Sequence, residues 1–114
     1  MMTASGGSGD VTDAMVQKIV HGFAPLRVIL FGSRARGEAN PDSDVDLLVV
    51  FDQAPDKRQL AIAIRRTLRD FMVPKDILVT TPEEIRRTGR VVGTVLRSAI
   101  KDGKVLYERK RPPT

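Results

Sequence analysis

The sequence predicts an α/β fold, a small mixed sheet with flanking helices, and three observations predict it. Segments of helical period alternate along the chain with short β-branched apolar runs. Three of those runs, RVILF, VDLLVVF and KDILVT, read as buried strands. The chain has 114 residues, 41% of them hydrophobic and 29% charged, which is enough for one core and one domain.

Residues 11–23 read as a helix with Met15, Val16, Ile19 and Phe23 on one side, capped by Asp10 or Thr12 and ended by Pro25. Residues 27–31 (RVILF) are the first strand, and residues 32–43 form a polar loop with two glycines and a proline. Residues 45–51 (VDLLVVF) are the second strand, and 52–56 (DQAPD) a turn. In residues 57–72, Leu60, Ile64, Leu68 and Phe71 recur at helical spacing, while Arg58, Arg65, Arg66 and Arg69 mostly take other faces. Pro74 precedes the third strand, 75–80 (KDILVT). Thr81-Pro82-Glu83-Glu84 starts a short helix, with Thr81 as cap, Pro82 at the first position and Glu84 closing a capping box. That helix breaks near Gly89. A last helix carries Val92, Val95, Leu96, Ala99 and Ile100 on one stripe and stops at Asp102-Gly103, before a small edge strand at 105–108. The expected order is α-β-β-α-β-α-α-β. The domain is expected over 11–108, between a flexible tail at 1–10 and a basic, proline-rich tail at 109–114.

Composition closes several routes. With no cysteine, there are no disulfides, thiol nucleophiles or zinc–thiolate sites. His21 is the single histidine, so a multi-histidine cage is excluded. No segment approaches the roughly 18 apolar residues of a membrane span, and the first ten residues lack the pattern of a secretion signal. The expected location is the cytoplasm. The net charge of +5 is unevenly spread: residues 1–57 hold five Lys/Arg against eight Asp/Glu, and residues 58–114 hold fourteen against six. An acidic half beside a basic one points to a carboxylate site next to a surface that attracts anions.

The informative stretch is FGSRARGEANPDSDVDLLVV, residues 31–50. Asp44 and Asp46, two apart at the mouth of a buried strand, fall on one face. Like charges held there repel, and a divalent cation relieves the repulsion; an oxygen-only donor set favours Mg²⁺ or Mn²⁺ over zinc. The same pattern also fits a polar turn with Asp44 as a cap. Gly32-Ser33 at the end of the first strand offers amides and a hydroxyl to phosphate oxygens, or else a tight turn with Ser33 as an N-cap. Asp76 opens the third strand. If that strand pairs with residues 45–51, Asp76 joins Asp44 and Asp46; otherwise it is an exposed strand-start residue. Three carboxylates, two cations and a glycine–serine loop make a two-metal phosphoryl-transfer site. Neither the GxxxxGK[ST] nor the GxGxxG pattern is present.

Gly32-Ser33, then Asp44-x-Asp46, then Asp76 resembles the signature of the DNA polymerase β-type nucleotidyltransferase superfamily. The fuller string GSRARGEANPDSDVDLLV is similar to the minimal nucleotidyltransferases, antitoxins encoded beside HEPN-domain toxins. The likeness covers about residues 27–80 by motif. It implies a polymerase β-like palm fold, with Asp44, Asp46 and Asp76 as metal ligands and catalytic acids for two Mg²⁺ ions. It also implies that Gly32 and Ser33 hold the β- and γ-phosphates of ATP. The reaction implied is attack of a hydroxyl on the α-phosphorus with loss of pyrophosphate, the acceptor being a tyrosine of a HEPN ribonuclease toxin. Adenylylation then silences the toxin, and the antitoxin forms a hetero-oligomer with it.

Arg34 and Arg36 flank the loop and either pair with the triphosphate or neutralise Glu38, Asp42 or Asp44. Asp42 and Ser43 read as turn-formers, and His21 as a core-edge or surface residue. The short chain, with no domain to bind an acceptor, favours a protein acceptor. Two other functions fit the same residues: an antitoxin that masks its toxin by contact alone, and a nucleotidyltransferase acting on nucleic acid or a small molecule. The pI of about 10.1 speaks for nucleic acid. The scarcity of aromatics, four Phe, one Tyr and no Trp, speaks against a base-stacking surface.

Overall fold

The computed structural model of the chain describes residues 11–32, 34–35, 37, 44–88, 99 and 101–109. Among these, the elements run α1 (Val11–Phe23), β1 (Arg27–Phe31), β2 (Val45–Val50), α2 (Lys57–Thr67), β3 (Lys75–Thr80), α3 (Pro82–Thr88) and β4 (Lys104–Glu108). The four strands form one mixed sheet in the order β3-β2-β1-β4. β1 runs antiparallel to β2 and to β4, and β2 runs parallel to β3. The expected α/β class and the edge position of the last strand hold, and the second and third strands pair, the condition for bringing Asp76 to Asp46. Parallel neighbours need a crossover, and α2 supplies it.

Strand alternation sorts the core into two faces. Val28 and Leu30 of β1 and Val45, Leu47 and Val49 of β2 turn to one side. There they meet Met15, Val16 and Ile19 of α1 and Ile64 of α2. Ile29, Leu48 and Val50 turn to the other side, where they pack with Ala99, Leu78 and Ile85. The sheet is therefore covered on both sides, which is why β2 reads as a continuous apolar run with one interruption, Asp46. His21 is exposed, as expected.

Several boundaries differ from expectation. The second helix ends at Thr67, not 72, because its last turn tightens: Leu68 N donates to Ile64 O and to Arg65 O, and Phe71 N to Leu68 O. Leu68 and Phe71 still face the core, so the apolar spacing outlasts the helix. Thr12 lies inside α1 and is buried, and Asp10 is outside the described residues. α1 ends on Ala24 at φ 50°, a left-handed position that glycine would fill without cost. Thr81 Oγ1 accepts from Glu84 N at 3.2 Å, the cap expected of it. The Glu84 carboxylate reaches sideways, accepting from the Thr80 hydroxyl at 2.7 Å and from Lys57 Nζ at 2.6 Å. That pair ties α2 to α3.

The break near Gly89, most of the last helix and both tails lie outside the described residues, apart from Arg109. Ala99, Lys101 and Asp102 are helical, and Gly103 follows. Gly103 is required by close packing, with no left-handed φ: a Cβ there would meet Ile29 Cγ2 at 2.5 Å and Leu30 O at 3.0 Å.

Candidate active site

The sheet brings Asp46 and Asp76 side by side. β2 and β3 pair in parallel with Asp46 opposite Asp76 and Leu48 opposite Leu78, and β1 sets Phe31 opposite Asp46 and Ile29 opposite Leu48. Residues in register share a face. One row of that face is therefore Ile29, Leu48 and Leu78, all apolar, and the next is Phe31, Asp46 and Asp76. The carboxylates sit on strands about 4.8 Å apart. Val45 N donates to Pro74 O at 2.9 Å, which pins the start of β2 to the entry of β3 and fixes this register where the acids lie. Asp44, immediately before β2 and two residues from Asp46, completes the group.

Asp46 is half-buried, while Asp44 and Asp76 are exposed. Burial, and then the charges of Asp76 and Asp44, push the Asp46 carboxyl above its ordinary value. The three acids are thus within electrostatic reach of one another. Among the described residues, which include all three acids, no three His, Cys, Asp or Glu side chains come together as a group that could hold a metal ion. The site is an open end of the sheet with excess negative charge and oxygen donors only. Such a donor set fits a hard divalent cation, whose charge would offset the repulsion that raises Asp46.

Gly32 lies against this row. It follows β1 directly and holds φ at 78°. A Cβ on Gly32 would overlap Asp46 Oδ2 and lie 3.2 Å from Asp46 Cγ. The turn continues with Ala35 N donating to Gly32 O at 3.1 Å and Gly37 N to Arg34 O at 3.3 Å. Ala35 is buried in the first core face and anchors the turn there. Of the expected phosphate-binding group, Gly32 adjoins the acids and Arg34 sits half-buried in this turn. Ser33, Arg36, Glu38, Asp42 and Ser43 lie outside the described residues.

The sequence reading assigned Gly32 to phosphate contact and missed its second role. Its neighbour Asp46 comes from the pairing of β1 with β2, strands distant along the chain, which spacing does not reveal. The Thr80–Glu84–Lys57 network was also missed, because it joins two helices and a strand end. It lies beyond Val50, at the far end of the strands from the acids.

The family profile described as "Nucleotidyltransferase domain" matches residues 14–107. Two relatives from Methanocaldococcus jannaschii carry names as candidate protein adenylyltransferases. MJ1305 is 39% identical over 66 residues, covering 56% of this chain and 43% of that protein. MJ0141 is 39% identical over 54 residues, covering 47% of this chain and 54% of that protein. The chain thus spans about half the length of the curated relatives it matches. A crystal structure of a candidate nucleotidyltransferase from Sulfolobus solfataricus is similar at a TM-score of 0.55 and 25% identity, over 86% of this chain and 78% of that one. A chain from a toxin–antitoxin structure with AMP-PNP has the same fold, with a TM-score of 0.55 and 22% identity over 88% and 76% of the two chains. The profile match spans residues 14–107, most of the chain, and it places this chain in the nucleotidyltransferase domain family.

Proposed function

We propose that the chain transfers AMP from ATP to a hydroxyl, that of a tyrosine, on a cognate HEPN ribonuclease toxin, and so acts as its antitoxin. The observation that carries this reading is the register of Asp46 against Asp76 with Gly32 packed on Asp46. In this reading Asp44, Asp46 and Asp76 would hold two Mg²⁺ ions, which would supply charge neutralisation at the attacking and leaving oxygens. Gly32 and Ser33, with Arg34 and Arg36, hold the β- and γ-phosphates. Gly32 suits the role because it presents backbone without a side chain beside the acids. In this reading Asp76, exposed on an edge strand, accepts the proton of the attacking hydroxyl. The hydroxyl oxygen bonds to the α-phosphorus as the bridging P–O bond to the β-phosphate breaks, and pyrophosphate leaves with the electron pair. The names of the two M. jannaschii relatives support a protein acceptor. The fold also serves in a toxin–antitoxin structure containing AMP-PNP, so it is compatible with that partner class.

In this reading the catalytic domain spans 11–108 and works in the cytoplasm in complex with the toxin. Among the described residues no helix is long and apolar enough to cross a membrane.

The test reads the neighbouring gene for a HEPN protein, mixes that protein with the chain, ATP and Mg²⁺, and follows intact mass. Addition of AMP to the partner, lost in Asp46→Asn and Asp76→Asn, is the expected result. Full neutralisation by Asp46→Asn would refute catalysis and leave masking by contact. Transfer to RNA with none to protein would refute the acceptor.

A further inference from the structure

A second polar site lies at the opposite end of the same sheet face. Arg27 opens β1, opposite Val50 of β2 and Glu108 of β4. Four residues separate Arg27 from Phe31 in the acidic row, about 13 Å of strand at roughly 3.3 Å per residue. A cavity of about 270 Å³ opens there, floored by Val50 and Ile85 and rimmed by Arg27, Arg86, Arg109 and Glu108.

The rim is not satisfied internally. Arg27 Nε is cut off from water and has no hydrogen-bond acceptor among the described residues. The nearest carboxylate oxygen, Glu108 Oε2, is 3.6 Å away, beyond hydrogen-bond length. A buried donor without an acceptor is costly and uncommon. The Arg86 side chain is exposed and takes part in no hydrogen bond or ion pair among the described residues. Arg109 gives one donor to Ala24 O and keeps its others. Three guanidinium groups against one carboxylate leave the rim at about two positive charges.

We propose that this cavity binds a phosphomonoester. The charge argues for it: at neutral pH a phosphomonoester carries about −1.5 to −2, which matches the rim, while a single carboxylate leaves it half-neutralised. Geometry agrees, because guanidinium forks pair with phosphate oxygens, and Arg86 and Arg109 keep donors for them at the rim. The apolar floor suits an organic group carrying the phosphate. The volume is at the small end for ligand pockets and takes a compact group rather than a nucleoside triphosphate. The site stands apart from the acidic row and needs no cation.

The test follows the Arg27 Nε–H resonance by NMR while phenyl phosphate is added to the full chain, with EDTA present and ionic strength held constant. A saturable shift is expected, weakened about tenfold by Arg86→Gln, as for loss of one charge-assisted bond. Asp46→Asn should change the affinity by less than about twofold, since sites so far apart act additively. Thermal melting of Arg86→Gln within about 2 °C of wild type would confirm an intact fold. No saturable shift, unchanged affinity in Arg86→Gln, benzoate binding as tightly as phenyl phosphate, or a large loss in Asp46→Asn would each overturn the proposal.

Discussion

Replacing Gly32 by alanine tests the packing of the acidic row directly. Two costs arise. The backbone at φ 78° must carry a side chain in a left-handed conformation, worth about 1–2 kcal/mol. The new Cβ also collides with Asp46 Oδ2 and crowds its Cγ at 3.2 Å, so the carboxylate must leave its rotamer. That adds about 0.5–1.5 kcal/mol. The expected loss is about 2–3 kcal/mol, which in a domain near 100 residues lowers Tm by roughly 10 °C. Urea unfolding of the wild type, Gly32→Ala, Asp46→Ala and the double variant separates the two costs. In Asp46→Ala only the Cβ remains near the new methyl, at 3.5 Å, an ordinary contact. The steric part should therefore vanish in the double variant while the backbone part stays, giving a coupling of about 0.5–1.5 kcal/mol. Additive effects, or an alanine at 32 that costs nothing, would refute the placement of Asp46 against this turn.

Three other outcomes follow from the same geometry. Burial, Asp76 and Asp44 raise the Asp46 carboxyl in the folded state, so its contribution to stability is present below its unfolded value of 3.8 and lost as pH rises through the folded value; Asp46→Asn should raise the neutral-pH Tm of metal-free protein, and Mg²⁺ should raise Tm in wild type more than in the variant. Burial acts to raise Glu84, yet the hydrogen bonds from Lys57 and Thr80 and the charges of Lys57 and Arg87 outweigh it and hold the carboxyl below its ordinary value of 4.5. Stability from Glu84 is therefore present above that pH and lost as pH falls through the folded value, and Glu84→Gln should cost about 1 kcal/mol at pH 7 and less in acid, read by urea unfolding across pH. Leu48→Ala removes a side chain only 1% exposed at the centre of the second core face, and should cost about 2–5 kcal/mol by the same assay.

The sequence by itself determined the local alphabet of this protein. Helical and strand periods are properties of neighbours along the chain, so α1, β1, β2, β3 and the start of α3 were legible, as were Thr81 as cap and Asp44-x-Asp46 as a same-face pair. Where the backbone tightens without moving its apolar side chains out of the core, as at Leu68 and Phe71, the spacing overstates the helix. Register belongs to no segment alone. That Asp76 stands opposite Asp46 rather than one residue off, which would turn it to the other face, follows from β2 and β3 pairing in parallel across α2. That Gly32 must be glycine follows from where the pairing of β1 with β2 brings Asp46. The arginines of the second half looked alike in the sequence; only the tertiary structure gathers Arg27, Arg86 and Arg109, from both halves and three separate segments, around one cavity, because charge follows the chain while a site follows the sheet.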